Sequence, residues 1–136
     1  MKLAVTEAEL QKLLGESEFF KVYQYKLYSF GEGECTLEVP YQKLWERPGG
    51  VTCGPVFMAV ADVTMWFAIM TRLGIAKAEM AVTVEMKTNF LSGAKQDNIL
   101  CKAKVLKLGR RLIYGVAECM NPEGKLFTHH TLTYIS

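Results

Sequence analysis

The chain of 136 residues has only 4 cysteines, 2 histidines and 4 prolines, and a net charge of just +2. Cys35, Cys53, Cys101 and Cys119 are widely spaced with no C-x-x-C pair, which argues against the usual zinc spacings and against a small disulfide scaffold. They are read as reduced thiols. His129 and His130 are adjacent and would point to opposite faces of a strand, a poor arrangement for one ion, so no metal site is expected. The near-neutral charge sets up no strong field, which argues against nucleic-acid binding as the main role. The N-terminal MKLAVTEAEL lacks the apolar run and cleavage pattern of a secretory signal, so a cytoplasmic location is expected. No internal repeat, low-complexity tract or interdomain linker is visible.

What is present is apolar surface: 50% of residues are hydrophobic and 22% charged, the balance of one compact domain over residues 1–136. The most apolar stretch, residues 51–70, opens with a Cys53-Gly54-Pro55 turn suited to starting a helix, and its only charge after Pro55 is Asp62. It is too short to span a bilayer and carries that carboxylate near its middle, so it reads as a buried core helix over 54–73, with no membrane role. A carboxylate there must be paired, wet or functional.

Thr6 and Glu9 form a T-x-x-E capping box ahead of Leu10, Leu13 and Leu14, predicting an N-terminal helix within residues 1–17. Residues 19–30, rich in aromatic and β-branched side chains, are expected to form a first strand, and residues 35–39 its hairpin partner. Gly74 should end the central helix. Four strands are then expected at 80–90, 98–108, 112–121 and 126–135, and their short links imply antiparallel neighbours. A helix that is apolar nearly all round must be enclosed, so the predicted architecture is α+β, a six-stranded antiparallel sheet wrapped around a long central helix.

That element order, residues 51–62 and the strand sequence TVEMKTNFLSGA together resemble the hotdog-fold thioesterases, specifically the phenylacetate-degradation type of acyl-CoA thioesterase. In that family the helix begins with a His-Gly-Gly turn and carries a carboxylate nine residues after the His; here Cys53-Gly54-Pro55 stands at the turn and Asp62 at the carboxylate position. The Gly109-Arg110-Arg111 turn and the hairpin at 121–125 resemble further family features. Arg47 stands where hydrolytic members usually have Asn, six residues before the turn His.

The resemblance implies hydrolysis of an acyl- or aryl-CoA thioester, with coenzyme A as part of the substrate and no separate cofactor. The Gly54 amide, at the positive end of a long helix, is suited to polarising a carbonyl. Asp62 lies eight residues further on, roughly 12 Å along the axis, too far to serve the same carbonyl within one chain. The resemblance implies homodimers, or dimers of dimers, in which Gly54 of one subunit meets Asp62 of the other. Asp62 would then act as general base or as nucleophile, with Thr83 orienting the water or the carboxylate. Helical spacing puts Met58, Ala59, Met65 and Trp66 on the face of Asp62, as an apolar lining for the acyl group. Arg110 and Arg111 are the first candidates for the coenzyme phosphates, and Arg47 and Cys53 would also contact substrate. The alternative is a non-catalytic acyl-CoA or fatty-acyl binding dimer, in which the altered turn holds ligand without activating it.

Overall fold

The computed structural model describes residues 3–136. Thr6 caps helix α1 (Glu7–Glu16) with both halves of the capping box in place, burying Leu10 and Leu14. The first two residues of the predicted N-terminal helix lie outside the described residues. Residues 19–30 are not one strand. Ser17 accepts from the Phe20 amide and starts a second helix, α2 (Glu18–Tyr23), which Gln24 ends in the left-handed region at φ 58°. Tertiary packing overrides β-propensity here, because the helical turn lets Phe20 reach the core beside Trp66 and Phe67. Strand β1 (Lys26–Gly31) starts only afterwards and pairs antiparallel with β2 (Glu34–Val39).

A 3-10 turn (Lys43–Trp45) and a two-residue ladder, β3 (Glu46–Arg47) with β4 (Val51–Thr52), lead into α3 (Gly54–Leu73). Gly74, at φ 83°, caps α3 by donating to the Met70 carbonyl at 2.8 Å. A four-residue helix, α4 (Ile75–Ala78), follows before β5 (Val82–Phe90), β6 (Ile99–Leu108), β7 (Leu112–Met120) and β8 (Leu126–Ile135).

All six long strands form one antiparallel sheet in the order β1-β2-β6-β7-β8-β5. The short link from β5 to β6 therefore does not join neighbours. It first stays on β8, where the Leu91 amide donates to Phe127, then passes the segment entering α3, where the Thr52 amide donates to Ala94, and it leaves β5 as an edge strand against β8. The sheet's inner face wraps α3, whose Val60, Met65, Phe67, Ile69 and Met70 are wholly buried. α3 is long and apolar enough to cross a membrane by composition alone, but here it is the core of the domain. At Gly115 on β7 the helix packs directly on the sheet, with no room for even a methyl group beside Met65. His129 and His130 do face opposite ways: His130 is buried between the Thr88 and Thr128 hydroxyls at 2.8 Å each, whereas His129 reaches Glu118 at 2.9 Å.

Candidate active site

Asp62 sits midway along α3 on the side where the sheet ends, and is half-buried rather than enclosed. Two inward-facing hydroxyls meet it. Thr83 on β5 and Tyr134 on β8 are register partners. Thr83 donates to Asp62 Oδ1 at 2.6 Å, and Tyr134 donates to the same Oδ1 at 2.5 Å and to the Asp62 main-chain carbonyl at 2.7 Å. Burial, and next the negative charge of Asp62, raise Tyr134 well above the ordinary tyrosine range, so its phenol stays a donor. Among the described residues nothing donates to Oδ2, which remains available to a water or an electrophile.

Beside the carboxylate is a cleft of about 340 Å³, with Phe20, Val63, Trp66 and Ala81 as its apolar walls and Asp62, Thr83 and Tyr134 as its polar ones. The Trp66 indole is held by its N–H donating to the Ala78 carbonyl at 2.7 Å, which explains the use of the short α4. Trp66 lines this cleft; Met58, Ala59 and Met65 do not. Met65 is wholly buried and faces the sheet at Gly115, because the helix presents its most apolar residues to the sheet and turns only its Asp62 side outward.

The start of α3 belongs to a separate hollow of about 420 Å³ that includes Arg47, Gly54, Phe57 and Phe90. Gly54 is the first helical residue, and among the described residues its N–H has no partner, while Pro55 has none to offer. The Phe90 ring lies over Gly54, 3.1 Å from where a Cβ would be, so any larger residue there would press on that ring. The half-buried Cys53 is fixed by its own amide donating to the Trp45 carbonyl at 2.7 Å. The exposed Arg47 folds back on the Pro48 carbonyl at 2.8 Å. Arg110 and Arg111 line a third hollow, of about 490 Å³, with Lys107 and Tyr114. Tyr114 pairs with Thr133 while its buried neighbour Ile113 pairs with Tyr134, so this basic hollow is behind the sheet at the same end as Asp62. Gly54, Asp62 and the arginine pair thus occupy three distinct places on one protomer.

Sequence pattern overlooked Tyr134 and Phe20. Phe20 was hidden by the strand expected over 19–30. For Tyr134 a signal existed: the inward alternation of β8 places a tyrosine in the core, and a buried phenol needs a partner. Among the described residues no three His, Cys, Asp or Glu side chains gather in a metal-binding arrangement.

The sequence profile of the thioesterase superfamily matches residues 49–128, from the turn before α3 to the start of β8. The chain belongs to the thioesterase superfamily. Membership makes it a hydrolase of the hotdog fold and supports thioester hydrolysis in general. A protein of Saccharolobus solfataricus named "Putative esterase" is 31% identical over 109 residues, covering 80% of this chain and 76% of that one. The solved thioesterase from Haemophilus influenzae superposes with a TM-score of 0.85 at 22% identity, over 99% of this chain and 94% of that one. The PaaI protein of the E. coli phenylacetic acid degradation operon does so with a TM-score of 0.82 at 14% identity, over 94% of this chain and 90% of that one. At those identities the two structures share the hotdog fold of this thioesterase-superfamily chain.

Proposed function

We propose that this chain hydrolyses acyl- or aryl-CoA thioesters as a homodimer with two composite sites. Asp62 of one subunit acts as general base on water, or as nucleophile, and the Gly54 amide of the partner subunit polarises the thioester carbonyl. The observation that carries this reading is the state of the Asp62 carboxylate: one oxygen is tied by two hydroxyls and the other is free beside an apolar cleft. The free Gly54 amide at the far end of the same helix gives the complementary half, and a second copy is needed to unite them. The edge strand β5 offers such a copy a surface, with Val82 and Val84 more than half exposed beside Met80.

In this reading the acyl or aryl group packs on Trp66 and Phe20 in the cleft. Arg110 and Arg111 take the coenzyme phosphates from the basic hollow behind the sheet, and Arg47 and Cys53, beside Gly54, flank the path of the substrate. The test is a thiol-release assay over short-chain, long-chain and aromatic acyl-CoAs with wild type and Asp62→Asn. Turnover by wild type that falls at least about 100-fold in the variant is expected. Unchanged turnover in Asp62→Asn would refute the role of Asp62, and tight acyl-CoA binding with no wild-type turnover would identify a binding module instead.

A further inference from the structure

Tyr134 makes an arrangement around Asp62 that core packing alone does not require. One phenol oxygen lies 2.7 Å from the Asp62 main-chain carbonyl and 2.5 Å from the Oδ1 of the same residue. Two acceptors of one residue turned toward a common point repel each other unless a donor sits between them, and a half-exposed aspartate on a helix has other staggered rotamers open to it. The phenol is what makes this rotamer favourable. The residue is 2% exposed and lies on β8, which is held on both sides by β7 and β5, whereas the other donor, Thr83, sits on an exposed edge strand. The buried ring therefore gives a fixed reference, and Thr83 adds a second donor to the same oxygen.

We infer that Tyr134 is a positioning residue: its hydroxyl clamps the Asp62 side chain to its own main chain and, with Thr83, occupies Oδ1, so that Oδ2 alone is presented to the cleft. This rests on the proposed reading of Asp62 as the reacting carboxylate. Tyr134 touches no substrate in this scheme. Its effect passes through the orientation of one carboxylate, and a misplacement on the scale of an ångström costs about 100-fold in rate.

The measurement is steady-state kinetics with hexanoyl-CoA and benzoyl-CoA on the full chain as Tyr134→Phe, Asp62→Asn and the double variant, with thermal unfolding of each. Tyr134→Phe keeps the ring, so its unfolding midpoint should stay close to that of the parent. Its kcat should fall about 10- to 100-fold while KM stays within about twofold. On the residual rate of Asp62→Asn, adding Tyr134→Phe should change kcat less than about twofold, because a residue acting only through the carboxylate has nothing left to position. Asp62→Asn inactive with Tyr134→Phe at parental kcat overturns the inference alone. An equal loss from Tyr134→Phe with and without the Asp62 carboxylate also overturns it, by showing a general structural role. Parental kcat in Asp62→Asn overturns the reading of Asp62 and this inference with it.

Discussion

Replacing Gly115 by alanine tests the closeness of helix and sheet on which the placement of Asp62 depends. The added Cβ would lie 2.4 Å from Met65 Cε, 2.7 Å from Met65 Sδ and 2.5 Å from the Lys104 carbonyl oxygen. Methionine can swing its terminal methyl aside, but its side chain is wholly buried, and the carbonyl belongs to the neighbouring strand β6, which cannot move without breaking its ladder. The conflict is steric rather than conformational, since Gly115 does not have a positive φ. Overpacking of this kind costs about 1–3 kcal/mol, and an immovable carbonyl puts the expected loss at the upper end, about 3 kcal/mol. For 136 residues the entropy of unfolding is about 0.3 kcal/mol/K, so Tm should drop by roughly 10 °C. Differential scanning calorimetry of Gly115→Ala beside Gly15→Ala gives the contrast. At Gly15, an exposed position of α1, an added Cβ meets nothing within 4 Å, and alanine should raise stability by about 0.5–1 kcal/mol. A Gly115→Ala midpoint within about 2 °C of the parent would refute the packing described here.

Alkaline conditions should weaken the fold through its buried thiols and phenols. Burial pushes the Cys35 thiol up to about 12 from 9.0, and burial likewise raises Cys101, Tyr25 and Tyr134. The folded state keeps protons that the unfolded chain releases, so stability is full below about pH 9 and declines as pH climbs toward about 12. The urea midpoint should therefore be lower at pH 10.5 than at pH 8, roughly a mid-window comparison, and an equal midpoint would contradict the burial assigned to these groups. In the proposed dimer, Val84→Lys puts a charge on the free edge of β5 and should yield monomer in analytical ultracentrifugation together with loss of turnover. A monomer that retains parental kcat would rule out the composite site.

Much of the fold was legible because its periodicities are local. The capping box at Thr6, the span of α3 from Gly54 to Leu73 and the last strand from Leu126 to Ile135 stand where pattern predicted them. The errors came where a distant partner decides. Residues 18–23 carry the composition of a strand, and the aromatic contacts of Phe20 with Trp66 and Phe67, added to the Ser17 cap, make the helix preferable. The link after β5 is short enough for a hairpin, yet Ala94 is buried and bonded to the segment entering α3, which draws the chain across to β6. In the candidate site the lone charge of Asp62 announced itself. Its contact with Tyr134 spans 72 positions and leaves no local pattern, so it could be found only as a buried phenol in need of an acceptor.

Strand β5 joins two requirements that sequence reading treated separately. Its inner face gives Thr83 to the Asp62 carboxylate, and its outer edge has no partner among the described residues. The irregularity between Thr83 and Glu85 falls at the junction, next to the exposed Val82 and Val84. A bulge of this kind re-aims a side chain at the cost of local pairing, and here it falls beside the residue that meets the carboxylate. In the proposed dimer a second copy along that edge would do more than bring in the partner's Gly54 amide. It would also steady the strand from which Thr83 reaches Asp62, so that assembly and orientation of the carboxylate rise and fall together. The buried Tyr134 is the one contact to Asp62 that such assembly leaves unchanged, and that independence makes it the natural reference point of the site.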